Sequence, residues 1–350
     1  MDFNYDLIKR ICEAPGIPGR EDAVRPIVIE ALEPLVDEIR VDALGNVIAT
    51  KHGSGGPRVM LAAHMDEIGF IVRSIDDDGF VRLQNVGGFD ARVLPSQRVL
   101  VHTAGGSVLR GAMQLATKPT HVLSADEIKP PKLSDIYVDL GMTGDAVKAQ
   151  VEIGDMVTFD RTLERVGDCV LSKSLDDRAS VFMMIEALRA VGEHQAEIVA
   201  VATTQEEVGL RGARTAAFGV EPDIGVALDV TIAGDIPGFD KSERVTKLGD
   251  GVAIKVFDSS HIPNHKLIRH LRDVAQQHEI KHQLEVLSRG GTDAAAIQLA
   301  RAGAPVITVS LPTRYLHTVN EMANIDDIQA EITLLARYLE EAHNGDYRLG

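Results

Sequence analysis

The chain has little cysteine, no surplus of basic residues and no long apolar run, and each shortage removes a class of protein. Cys12 and Cys169 stand far apart, without the paired spacing of a thiolate metal site. They cannot make a disulfide framework, which points to a reducing compartment. Lys and Arg number 36 against 52 Asp and Glu, for a formal net charge of -16. Phosphate binding needs clustered basic side chains, so this balance argues against a nucleic-acid partner. No stretch approaches the ~20 apolar residues of a membrane span. Met1 to Arg10 carries Asp2, Asp6, Lys9 and Arg10 in place of a signal peptide's apolar core. The expectation is a cytoplasmic protein that meets no membrane, with no internal repeat and no low-complexity tract.

What is present is ordinary globular material, and 350 residues are more than one core usually occupies. Apolar, β-branched runs at 58–63, 197–204, 224–228, 251–255 and 306–310 read as strands, and 6–12, 19–36, 176–188, 267–278, 292–302 and 325–344 as helices. That alternation predicts an α/β fold, a mixed sheet with helices on both faces. Between 68 and 164 the texture changes to short strands closely punctuated by Gly and Pro, with Asp76-Asp77-Asp78-Gly79 as a hairpin signal. This segment is expected to be an inserted small all-β, barrel-like domain. Residues 1–67 and 165–350 would then form one discontinuous domain. Within the insert, Lys118 to Lys132 contains Pro119, Pro130 and Pro131 and reads as a long mobile loop.

Chemistry-bearing residues gather where the apolar strands stop. His64 follows Ala63, Glu206 and Glu207 follow the strand ending at Thr204, Asp229 follows Leu228, and His317 lies a few residues past Ser310. In open α/β sheets the carboxyl ends of the strands line one crevice, where Asp176 at a helix start can join them. Each residue alone has a plainer explanation. Glu206-Glu207 fits an exposed acidic turn, a single His fits a surface or satisfied core position, and Asp176 or Asp229 fits a cap. Together, two imidazoles and several carboxylates suit a pair of divalent ions such as Zn, Co or Mn.

Read in order, His64-Met65-Asp66, Ser174-Leu175-Asp176-Asp177-Arg178, Gln205-Glu206-Glu207-Val208-Gly209, Ala227-Leu228-Asp229 and Pro312-Thr313-Arg314-Tyr315-Leu316-His317-Thr318 resemble the successive signatures of the M42 family of dinuclear metallo-aminopeptidases. Gly87-Gly88-Phe89-Asp90-Ala91-Arg92-Val93-Leu94-Pro95 and Arg289-Gly290-Gly291-Thr292-Asp293-Ala294 agree, with Phe89 where the family often has Trp. The resemblance implies a zinc-exopeptidase-like fold and two divalent metal ions per subunit. It implies that Asp176 bridges the ions, with His64 and Asp229 completing one ligand set and Glu207 and His317 the other. Glu206 would be the general base, and Asp66 would orient His64 or its surroundings. It further implies short peptide substrates, and a homo-oligomer in which dimers, joined through residues 68–164, assemble into a tetrahedral dodecamer.

Two other readings stay open at this level: a related two-metal deacylase or carboxypeptidase, and a non-catalytic peptide-binding scaffold. Arg314 can serve a substrate or pair with an acid, and Arg211 and Arg214 are candidates for a basic pocket. Thr292-Asp293 reads first as a helix N-cap.

Overall fold

Strands Glu197–Thr203, Arg58–His64, Ile224–Ile232 and Val306–Arg314 are buried along nearly their whole length. Apolar on both faces, they belong in the middle of a sheet, and they pair in that order as its parallel centre. Val47–Lys51 and Glu38–Val41 extend it antiparallel on one side. Glu321–Asn324, Cys169–Ser172 and Glu164–Val166 do so on the other. Val252–Phe257 also pairs antiparallel with Val306–Arg314, and carries His282–Val286 in parallel. The computed structural model describes residues 3–118, 120–124 and 129–349.

Successive side chains of a strand point to opposite faces, and here each face has its own core. Leu61 and Ala63 pack with Leu7, Val28, Phe182, Leu271 and Leu335 from five helices. Met60 and Ala62 pack with Ala216, Ala217, Ala294 and Ile297 from helices Arg211–Val220 and Asp293–Gln298. The expected mixed sheet with helices on both faces is what forms.

The chain divides into two compact units, one of Met1–Glu67, Thr162–Leu316 and Asn320–Gly350, the other of Ile68–Arg161 with His317–Val319. The second unit is a closed six-strand barrel of antiparallel pairs, shut by Gly69–Ile75 against Met156–Phe159. Its interior takes Phe70, Val72, Val99, Val101, Val157 and Phe159, alternate residues of their strands. Phe89 stacks on Phe70 with centroids 4.4 Å apart, so the smaller ring at this position still closes the barrel core. Of the loop expected at 118–132, Pro119 and residues 125–128 lie outside the described residues; short 3-10 turns occupy Thr120–Val122 and Leu133–Asp135.

Several elements differ from the sequence expectation. The second helix is Arg25–Leu32, later than Gly19, because the Glu21 side chain is committed to the Gly19 and Gln205 N–H groups and Pro26 sits in the first turn. The strand expected to stop at Leu228 runs to Ile232, since β-branched Val230, Thr231 and Ile232 continue the ladder against Leu311, Pro312 and Thr313. Helix Arg211–Val220 and strands Glu164–Val166, Cys169–Ser172, His282–Val286 and Glu321–Asn324 were not legible; the strands are short and carry polar residues. No helix among the described residues is long and apolar enough to cross a membrane.

Arg178 fastens the N-terminal segment beneath the sheet. Its guanidinium, fully buried, donates to the carbonyls of Met65, Ile11 (2.7 Å), Ala14 (2.9 Å) and Gly16 (3.0 Å). Glu67, bound to Lys173 at 2.7 Å, balances the charge. Arg178→Met would strand these carbonyls and is expected to cost about 3 kcal/mol or more, read as a lower denaturant midpoint.

Candidate metal centre

Parallel register brings the first two residues together. Ala62 is level with Ala227, the last pair of that ladder, and His64 and Asp229 each follow two residues further on, with a ligand atom of each within 4.8 Å of the other. Asp229 therefore lies inside its strand, not beyond the end of it. Across the other neighbour, Thr203 is level with His64, and three residues later comes Glu206. Asp176 and Asp177 precede the regular helix with non-helical backbone, a correction to the expected helix start at Asp176. The Asp176 N–H donates to Glu321 Oε2 (3.0 Å), and Asp177 Oδ2 accepts the His64 N–H (3.0 Å), which holds both residues outside the helix.

Among the described residues two groups could hold metal ions: His64 with Asp176 and Glu207, and His64 with Asp177 and Asp229. Within each, one ligand atom per residue lies within 4.8 Å of the others. His64 Nε2 is 3.2 Å from Asp176 Oδ1 and 3.9 Å from Glu206 Oε2. Its Nδ1 lies 3.0 Å from the Asp66 carbonyl, leaving Nε2 to face the carboxylates. His317 belongs with the barrel unit, where its Nδ1 lies 2.9 Å from the Gly88 carbonyl; neither group includes it.

Asp66 acts on the turn and the imidazole together. Its Oδ1 accepts the Glu206 N–H (3.0 Å) and its Oδ2 the Glu207 N–H (3.1 Å), with Oδ1 3.6 Å from His64 Nδ1.

The electrostatics are those of a site short of positive charge. Burial, followed by Asp229, pushes the Asp177 carboxyl well above the carboxylate range. Burial, then Asp176, does the same to Asp229. For Glu206, burial leads and Asp229, Asp293 and Glu207 add to it against the opposing pull of His64. Burial would lower His64, but Asp176, Asp66, Asp177 and Glu206 raise it well above its ordinary value. Asp177 Oδ1 is buried with no hydrogen-bond partner. Such a donor set, rich in oxygen with an imidazole, fits divalent ions.

Asp177 was not singled out from sequence, although its doubling with Asp176 was the available signal. Asp293 was read as part of a cap, and Thr292 is indeed the N-cap, accepting the Ala294 N–H at 3.3 Å. Asp293 itself is buried, accepts from Thr203 Oγ1 at 2.6 Å, and is pushed up to about 6, chiefly by burial. Arg314 makes a bidentate pair with Asp235 (2.8 and 2.5 Å), and Arg211 donates to Gln205 Oε1 (3.3 Å).

The family described as M42 glutamyl aminopeptidase matches residues 45–334. The chain belongs to the M42 family. It is 37% identical over 351 residues to the lysyl aminopeptidase of Pyrococcus furiosus, covering 98% of this chain and 99% of that protein. Among solved structures, the aminopeptidase APDkam598 of the archaeon Desulfurococcus kamchatkensis superposes with a TM-score of 0.92 at 40% identity, covering 97% of this chain and 94% of that one. The Pyrococcus horikoshii TET1 peptidase, which can assemble into a tetrahedron or a large octahedral shell, gives 0.85 at 31%, covering 96% and 99%. This M42 chain is thus a hydrolase of the exopeptidase class with aminopeptidase function, in a metal-dependent family.

Gly212 keeps the site's turn against the sheet. A Cβ there would meet Thr204 N and O and Asn46 Oδ1, inside van der Waals range. Gly212→Ala should displace the helix start and cost about 1–3 kcal/mol, with activity falling alongside the thermal midpoint.

Proposed function

We propose that this M42 chain removes N-terminal residues from short peptides with two divalent metal ions per subunit, and that Glu206 is its general base. The observation that carries the reading is the pair Glu206-Glu207, with both backbone N–H groups held by Asp66 beside His64 and Asp176. Asp176 would bridge the ions, His64 and Asp229 completing one set and Glu207 and His317 the other. An Nδ1–H given to the Gly88 carbonyl leaves Nε2 of His317 in the unprotonated form that ligates metals. His and carboxylate ligands accept Zn, Co and Mn alike.

Bound ions would supply Lewis-acid polarisation of the scissile carbonyl and a more acidic water. Glu206 accepts one proton from the water that attacks the carbonyl carbon and returns it to the departing amine, as the C–O bond forms and the C–N bond breaks. Asp66, buried, fixes the backbone from which Glu206 projects and faces His64 Nδ1.

Residues 1–67 and 165–350 act as the catalytic domain, and 68–164 as a dimerisation module from which dimers assemble into a tetrahedral dodecamer. The assembly is supported by the Pyrococcus horikoshii structure. Free Cys12 and Cys169 accord with a cytoplasmic location.

Glu206→Gln is expected to keep its metal and lose about 10²–10⁴-fold in kcat on aminoacyl arylamides; wild-type turnover would remove Glu206 from the mechanism. Asp176→Ala should lose metal by elemental analysis. Full occupancy in that variant, with loss in Asp177→Ala instead, would transfer the bridging role. Chelation should abolish activity, and adding Zn, Co or Mn back singly should identify which ion restores it.

A further inference from the structure

The backbone of the Glu206 turn is accounted for almost atom by atom. On the carbonyl side, Thr204 O accepts from Gly212 (2.9 Å), Gln205 O from Arg211 (3.3 Å), and Glu206 O from Gly209 (2.8 Å) and Leu210 (2.9 Å). On the N–H side, Asp66 takes Glu206 and Glu207. The remaining N–H, that of Gln205, donates to Glu21 Oε1 at 3.2 Å. The same oxygen accepts the Gly19 N–H at 2.8 Å, and Glu21 is 1% exposed.

Gln205 is the residue where this hold matters. Its φ is +57°, the left-handed region that a side chain with a Cβ occupies only when the surroundings impose it. A rotation there would swing the two carboxylates that follow, because both depart from the next backbone units. Asp66 grips those units but not Gln205 itself. Thr204, the residue before, is fixed through its own N–H to Asn46 Oδ1 (3.0 Å). Among the described residues the side-chain acceptor of the Gln205 N–H comes from a segment 184 positions away, outside both metal-capable groups.

We propose that Glu21 is a positioning residue for the reaction: by accepting the Gln205 N–H it holds that residue left-handed and sets the separate directions of Glu206 and Glu207. The inference rests on the reading of Glu206 as the proton carrier. It requires an acceptor at Glu21, not a charge, so Gln should substitute and shorter side chains should not. The predicted defect is one of geometry at the reacting centre, where displacement of about 1 Å can cost on the order of 10²-fold in rate.

The test uses the metal-loaded full-length protein. With saturating metal, Glu21→Ala is expected to lower kcat by about 10–100-fold with KM changed by less than about threefold. Glu21→Gln should remain within about threefold of wild type. Hydrogen exchange over residues 204–207 should speed up by about tenfold in Glu21→Ala and not in Glu21→Gln. Glu21→Asp, which keeps the charge but falls short of Gln205, should behave as Glu21→Ala and replaces it should that variant lack a cooperative melt. Unchanged kcat in the folded short-chain variant, unchanged exchange, or equal damage in Glu21→Gln each overturns the proposal. A fully active Glu206→Gln would overturn the underlying reading instead, and the exchange comparison would still decide whether Glu21 holds the turn.

Discussion

Negative charge crowded around one buried imidazole is the constraint on which the rest of the structure depends. Asp66, Asp176, Asp177, Asp229, Glu206 and Glu207 gather about His64, most of them shielded from water. Carboxylates crowded together away from solvent repel one another and resist ionising, so this arrangement persists only if something else holds it. Part of the answer is backbone: Asp177 takes the His64 N–H, and Asp66 takes two in the acidic turn. Another part is the pair Lys173–Glu67, wholly buried, which with Arg178 ties the end of the His64 strand to the N-terminal segment. The remaining deficit of positive charge is where divalent ions fit.

The different duties proposed for Glu206 and Glu207 call for a backbone that does not yield. Flexible turns would let Glu206 and Glu207 exchange places, since their side chains are alike and only one bond of the main chain separates their Cα atoms from a shared peptide unit. The fold answers with the tight join between strand Glu197–Thr203 and helix Arg211–Val220, where Gly212 packs on Thr204 and consecutive carbonyls are all taken. Rigid supports of this kind, more than the identity of the reacting groups, distinguish a catalytic pair from an acidic turn.

Much of this was legible in the sequence, and what was not has definable causes. The four central strands stand out because burial on both faces demands continuous apolar runs, and their ends mark where polar residues gather. The signature stretches carried the family. Asp229 was assigned to a strand end because Leu228 closes the purely aliphatic run, whereas pairing with Leu311, Pro312 and Thr313 extends the strand past it. Asp177, Asp293 and Glu21 make contacts 113, 90 and 184 positions away, and beyond the doubling of Asp177 with Asp176 no local pattern marks them. The grouping of His317 with the barrel is likewise a property of the folded chain.

The parallel register that sets His64 level with Thr203, and Ala62 level with Ala227, also has a bearing on how the molecule comes into being. The strand that ends at His64 lies well over a hundred residues before the other two, and closing such loops costs entropy before any pairing rewards it. The acidic cluster therefore exists only after the sheet's centre has zipped together. Its carboxylates lie on segments far apart in the chain, so the candidate metal centre is a property of the assembled sheet and of no single stretch of sequence.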